Sequence, residues 1–172
     1  MVVVYGRRSM YKMFLNYVFW LLSVSLLIVT EATDCPNLWI AYNGVCYRFT
    51  EMSMTFVDAE HYCEQHHGHL VHIESAEENS FVKQEISQLI ATHWWIGLSD
   101  DDIEGKFVWY GTSKVPEYTD WFPGNPSNSA GKEDCGEIIR DATYGTHWND
   151  VDCHNVQPAV CEQPGGSTEV IG

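Results

Sequence analysis

Six cysteines, at positions 35, 46, 63, 135, 153 and 161 of a 172-residue chain, constrain this sequence more than any other feature. All of them follow the apolar run Met13 to Val29, which is itself preceded by Arg7, Arg8 and Lys12. Thr30-Glu31-Ala32 then offers small residues two apart, so residues 1–33 read as a secretory signal peptide cleaved near Ala32 or Thr33. A membrane anchor is the alternative, because the 17-residue run is close to the lower limit for a span. Asn16, within the run, favours the cleaved signal. An even number of cysteines in an exported chain reads as three disulfides, although spacing alone does not decide which cysteine pairs with which.

The remaining sequence is expected to form one domain, residues 34–163, followed by a polar, glycine-rich tail at 164–172 that frays. Without its first 33 residues the chain keeps 6 Lys and Arg against 23 Asp and Glu, a formal charge of −17. Such a surface repels nucleic acid and anionic membrane and attracts cations, so neither is expected as a partner. Calcium is the extracellular cation that carboxylates and amides suit.

Asn43-Gly44 between apolar residues predicts a hairpin that Cys35 and Cys46 flank. Phe56, Ala59, Tyr62 and Cys63 recur at helical spacing, which predicts a helix over Met54 to His67 stopped by Gly68. Leu70, Val71 and Ile73 predict a short strand. Ser75-Ala76-Glu77-Glu78 is a capping box, and Phe81, Val82, Ile86, Leu89 and Ile90 supply the apolar face of a second helix. Beyond Thr92 the texture changes to short aromatic-rich strands: His93 to Leu98, Phe107 to Tyr110, Gly136 to Ile139, and Ala159 to Cys161. A long run without regular structure, Gly111 to Lys132, lies between them, and a loop of that length inside a domain usually serves a function.

Two helices, then Trp95-Ile96-Gly97-Leu98, Trp109, a loop ending in Glu133-Asp134-Cys135, Trp148-Asn149-Asp150 and Cys161-Glu162 carry a resemblance. The sequence resembles a C-type lectin-like domain over Cys35 to Glu162. Its stretch Ser99 to Pro126 is most similar to secreted perlucin-like lectins. The resemblance implies an α+β fold, two helices packed on small antiparallel sheets with a long calcium-binding loop. It also implies the pairings Cys35–Cys46, Cys63–Cys161 and Cys135–Cys153.

In that family a calcium ion is held by a Glu-Pro-Asn or Gln-Pro-Asp tripeptide, a glutamate before a cysteine, and the Asn-Asp of Trp-Asn-Asp. Two adjacent sugar hydroxyls complete its shell. The resemblance places this site on Asn125, Ser127, Glu133, Asn149 and Asp150. Three of the five positions match and the tripeptide, here Asn125-Pro126-Ser127, departs. Asn125 keeps an amide oxygen and Pro126 keeps the option of a cis bond, but Ser127 offers only a short hydroxyl. With two carboxylates in place of three, calcium binding is expected to be weaker than in a relative with the full set. Galactose-type and mannose-type glycans are both candidate ligands, with a lean to galactose because Asn125 puts an amide first. A second, structural calcium site is implied at Asp100, Glu104, Asn128 and Asp134; a solvated turn is the other reading of Asp100 to Asp102. Tyr144 and His147 are candidates for direct sugar contact, whereas Trp94, Trp95, Trp109, Trp121 and Trp148 read mostly as core.

The expected function is therefore that of a secreted, calcium-dependent carbohydrate-binding lectin, in the extracellular setting of innate immune recognition. The alternative is a calcium-stabilised matrix, biomineralisation or protein-binding module without sugar binding. His61, His66, His67, His69 and His72 crowd one region, but there is no H-E-x-x-H motif, and the run Gly68 to Ile73 alternates faces, so convergent ligands are not expected. No G-x-S-x-G elbow is present. An enzyme is not expected.

Overall fold

A computed structural model of the chain describes residues 33–167. Residues 1–32 of the expected signal segment and residues 168–172 of the tail lie outside the described residues.

The first helix, α1, spans Phe56–Gln65 and is capped by Thr55, whose side chain accepts the Asp58 N–H. It ends through a left-handed residue, at His67 (φ 64°) rather than at Gly68. Gly68 has a different role: a Cβ there would lie 2.3 Å from the carbonyl oxygen of Glu162, so only glycine lets the chain pass the last strand. The second helix, α2, spans Ala76–Ile86, with Ser75 accepting the Glu78 N–H as the capping box predicts. The Glu78 side chain reaches back to the N–H of Glu74, one residue beyond the usual partner, the N–H of Ser75. Leu89 and Ile90 were expected on the helix face but lie beyond its end. Leu89 is half-buried and Ile90 is 98% exposed. The Arg140 guanidinium donates to the carbonyls of Ile86, Ser87, Leu89 and Ile90, which satisfies the helix end.

One four-stranded sheet has the order β2 (Ile40–Tyr42), β3 (Val45–Phe49), β9 (Val160–Pro164), β4 (His69–Leu70), all antiparallel. The other has the order β6 (Val108–Trp109), β5 (His93–Ser99), β7 (Cys135–Asp141), β8 (Gly145–Val151), also antiparallel. Strand β8, which carries Trp148-Asn149-Asp150, is absent from the predicted set of strands. A two-stranded ribbon joins β1 (Thr33–Asp34) to β10 (Gly166–Ser167), so the tail expected to fray from residue 164 is paired through Ser167.

The core is aromatic. Trp94, Trp95, Trp109 and Trp148 are buried together with Ile96, Leu98 and Ile138, which bears out their reading as packing residues. A fully buried tryptophan removes roughly 150–250 Å² from water, on the order of 4–6 kcal/mol before entropy is set against it. Three disulfides close the fold, Cys35–Cys46, Cys63–Cys161 and Cys135–Cys153. The second ties α1 to β9 across 98 positions, a constraint of about 4–5 kcal/mol in the chain-entropy description.

Candidate functional site

The long loop folds back over the ends of β7 and β8, and the register of those strands determines what it meets. Cys135 pairs with Val151, Gly136 with Asp150 and Glu137 with Asn149. The Cys135–Cys153 disulfide clamps the same end of the ladder. Asn149 and Asp150 are therefore presented from a rigid strand to the loop, with no freedom of register.

The five residues of the expected sugar site come together there. The Asn125–Pro126 bond is cis. The Asn125 side-chain Nδ2 donates to the side-chain oxygen Oδ1 of Asn149. Asp150 Oδ2 accepts the backbone N–H of Ser127 at 2.7 Å and of Asn128 at 2.6 Å. Glu133 Oε2 accepts the Ser129 N–H at 2.6 Å and the Ser127 hydroxyl at 3.0 Å. Asn128, in the left-handed region at φ 41°, stands where the loop brings the Ser127 and Asn128 amides onto Asp150. Asp150 is fully buried, and its second oxygen, Oδ1, has no hydrogen-bond partner.

The second set is gathered beside the first. Asn128 links the two, donating from Nδ2 to Glu104 Oε1. Asp100 is buried, accepts the Gly105 N–H at 2.8 Å on Oδ2, and leaves Oδ1 without a partner. Its backbone N–H bonds the Asp134 carbonyl oxygen. Burial raises the Asp100 carboxyl above its ordinary pKa, and repulsion from Glu104 and Asp134 adds to it. Asp134 is raised as well, by desolvation and then by Glu104, Asp101 and Asp152. A group of carboxylates that disfavour one another's ionisation, with two buried oxygens lacking donors, has the electrostatics and donor set of a hard-cation site. The residues present fit calcium.

Three residues that sequence reasoning missed hold this arrangement. Glu137, 1% exposed, accepts the Asn149 side-chain N–H at 2.8 Å and pairs with His93 at 3.0 Å on its other oxygen. Its signal was an acid inside the otherwise apolar strand Cys-Gly-Glu-Ile-Ile. Asn79, on α2, accepts the Trp148 indole N–H at 2.9 Å and donates to Tyr118 and Asp120 in the long loop. Asp120 also meets Lys83 and His147. Nothing local in the sequence marks Asn79 or Asp120, because their partners lie on other elements.

Next to Asn125 and Asn149 lies an open cleft of about 400 Å³ lined by Phe122, Pro123, Gly124, Ile139, Asp141 and Tyr144. Tyr144 is 66% exposed and stands edge-on to Phe122, with ring centroids 5.3 Å apart. His147, the other candidate, is half-buried and held by Asp120, so it is less free to meet a ligand. Trp121 packs edge-on to Trp148 and is not a surface platform.

The histidines divide differently from expectation. His61 and His67 are exposed, and His66 bonds back to Tyr62. His69 and His72, however, converge with Glu162. Strand β4 ends at Leu70, so the strict alternation that would separate them stops before His72.

A profile of the family described as Lectin C-type domain matches residues 52–163, well over half of the chain. The chain belongs to the C-type lectin domain family. Over 135 residues it is 38% identical to asialoglycoprotein receptor 2 of Mus musculus, an alignment covering 75% of this chain and 42% of the receptor. Over 131 residues it is 37% identical to perlucin of Haliotis laevigata, covering 75% of this chain and 83% of perlucin. The human scavenger receptor C-type lectin carbohydrate-recognition domain superposes with a TM-score of 0.69 at 32% identity, covering 76% of this chain and 99% of that domain. The chain thus spans less than half of the mouse receptor but most of perlucin. C-type lectin domains are non-enzymatic, so the chain is not an enzyme. Among the described residues no helix is long and apolar enough to cross a membrane.

Proposed function

We propose that this C-type lectin is secreted and binds carbohydrate through a calcium ion held by Asn125, Glu133, Asn149 and Asp150, with Ser127 at the fifth family position. The observation that carries this reading is Asp150: fully buried, fixed by two loop amides on one oxygen, and unpartnered on the other. A buried carboxylate oxygen without a donor is costly, and a cation relieves it. Calcium, when bound, supplies the positive centre that two adjacent sugar hydroxyls complete.

The chain's own residues do the rest. Glu137 orients Asn149, Asn79 anchors the Trp148 indole on the neighbouring position, and Tyr144 offers an apolar ring face beside the cleft. Asp100, Glu104, Asn128 and Asp134 hold a second calcium that stiffens the loop. The amide at Asn125 favours galactose-type over mannose-type glycans. The similarity to a carbohydrate-recognition domain of a scavenger receptor supports glycan recognition, which we assign to the extracellular setting of innate immune recognition. The reading is tested by calorimetric titration with calcium chloride. Binding is expected to saturate around the 10⁻⁴–10⁻³ M range of extracellular modules, and the calcium held by Asp150 to be lost in Asp150→Asn while the second is kept. No heat up to roughly ten times that range would refute it.

One observation favours a second reading. The Ser127 hydroxyl donates to Glu133, so the hydroxyl at the tripeptide position that would meet sugar is already engaged. A calcium-stabilised matrix or protein-binding module would show calcium binding in the same titration without glycan binding.

A further inference from the structure

On the other sheet, away from the residues of the proposed calcium sites in sequence, His69, His72 and Glu162 each place a ligand atom within 4.8 Å of the other two. They line a cleft of about 350 Å³ together with Tyr42, Tyr47 and Glu78. Glu78 is already committed, accepting the Tyr47 hydroxyl at 2.7 Å and the Glu74 N–H at 2.9 Å. Glu162 is 9% exposed and is held by the His72 backbone N–H at 2.8 Å on Oε1. No lysine or arginine is paired with it among the described residues, and the basic side chain beside it is His69, at 3.7 Å.

The two imidazoles lie face to face at 4.2 Å between ring centroids, tilted by 34°. His72 is wedged between His69 and Trp109, and its Nε2 is buried without any hydrogen-bond partner. His69 is part-exposed at the mouth, its side chain 40% accessible; its Nδ1 meets the Leu70 carbonyl oxygen at 2.8 Å, which leaves Nε2 as its free nitrogen. Position 97 is glycine and leaves the inner imidazole its room: a Cβ there would sit 2.8 Å from His72 Cδ2 and 3.1 Å from Nε2. The three donors come from β4, the segment after it, and β9, and β4 and β9 are paired directly, His69 opposite Glu162. The donors are therefore held by a ladder rather than by a mobile loop.

We propose that His69, His72 and Glu162 form a binding site for a zinc-class divalent ion, open at its fourth position to water or to a donor from a bound molecule. Two imidazoles and one carboxylate are a zinc donor set, and three protein ligands leave that ion one position free. Imidazole suits zinc, copper and nickel, whereas calcium takes oxygen ligands, so this site and the calcium loop select different ions. A bound cation gives the buried glutamate a counter-charge and takes one imidazole nitrogen from each histidine. Coordination closes the present spread of the three atoms, which asks for movement mainly of the part-exposed His69 ring.

The experiment titrates zinc chloride into the full chain, disulfides intact, in the presence of saturating calcium, and follows heat. One zinc per chain is expected, not displaced by millimolar calcium. His69→Ala, at the part-exposed position where folding is safe, is expected to weaken binding by roughly tenfold or more, as is Glu162→Gln. A double variant at the neighbouring His66 and His67 is expected to bind as the parent does. Absence of zinc binding in the parent, unchanged binding in His69→Ala, displacement by calcium, or loss in the His66/His67 variant would each overturn the site. Circular dichroism of each variant separates a lost ligand from a lost fold.

Discussion

Replacing Ser127 by aspartate tests how the loop balances its charges with and without calcium. The serine hydroxyl donates to Glu133 Oε2 at 3.0 Å. Ser127→Asp removes that bond and sets a second carboxylate beside the first, on a residue exposed to solvent. Two like charges about 4 Å apart cost about 1 kcal/mol at water's dielectric constant and about 4 at an effective value of 20, and exposure places this pair at the low end. The lost charge-assisted bond adds about 1 kcal/mol after the same discount. In chelator the variant is thus expected to be about 2 kcal/mol less stable, a fall of roughly 5–10 °C in Tm for a domain of this size. In calcium the sign reverses. The new carboxylate adds a charge and a longer-reaching ligand, and calcium affinity is expected to rise about tenfold or more, equivalent to about 1.4 kcal/mol. The assay is differential scanning fluorimetry of parent and variant in chelator and across a calcium series. A variant whose Tm matches the parent in chelator, or whose gain from calcium is no larger than the parent's, refutes the reasoning.

Three further outcomes follow from the geometry. Asn79→Ala leaves the buried Trp148 indole N–H unpaired and frees Tyr118 and Asp120, so urea unfolding is expected to show a loss of about 2–4 kcal/mol; a loss under about 1 would show that Asn79 does not anchor the loop. The His93 pKa is raised, chiefly by its hydrogen bond to Glu137, so the pair's stabilisation is full below the unfolded value of about 6.5 and is lost as pH rises through the higher folded value; His93→Gln is expected to flatten that part of the stability–pH curve, and an unchanged curve would contradict it. Tyr144→Ala removes the exposed ring beside Asn125 and Asn149, and is expected to weaken glycan binding severalfold while calcium affinity stays put; equal loss of both would assign Tyr144 to folding instead.

What could be read from the sequence was what depends on neighbours along the chain. The Ser75 capping box, the helical spacing of Phe56 and Ala59, and the apolar run His93 to Leu98 are local signals, and the elements follow them. Strand β8 carries no such signal, because the inward parity that holds Trp148 also holds the polar Thr146 and Asp150, so no apolar alternation marks it. Ile90 fails for the opposite reason. It continues an apolar period, but Arg140, fifty positions away, caps the helix before it. The candidate site divides in the same way. Glu133, Asn149 and Asp150 stand in local motifs, whereas Glu137, Asn79 and Asp120 act through partners on other strands and helices. The convergence of His69 and His72 on Glu162 is likewise a property of the β4–β9 pairing, which no local pattern in Gly68 to Ile73 contains.

The central claim is that this C-type lectin domain recognises carbohydrate through a calcium-holding loop. The most direct measurement is a glycan array probed with the full chain in calcium and again in chelator. The account predicts binding to galactose-type glycans in calcium and its loss in chelator. Binding that persists in chelator, or no binding to any glycan in calcium, would contradict it.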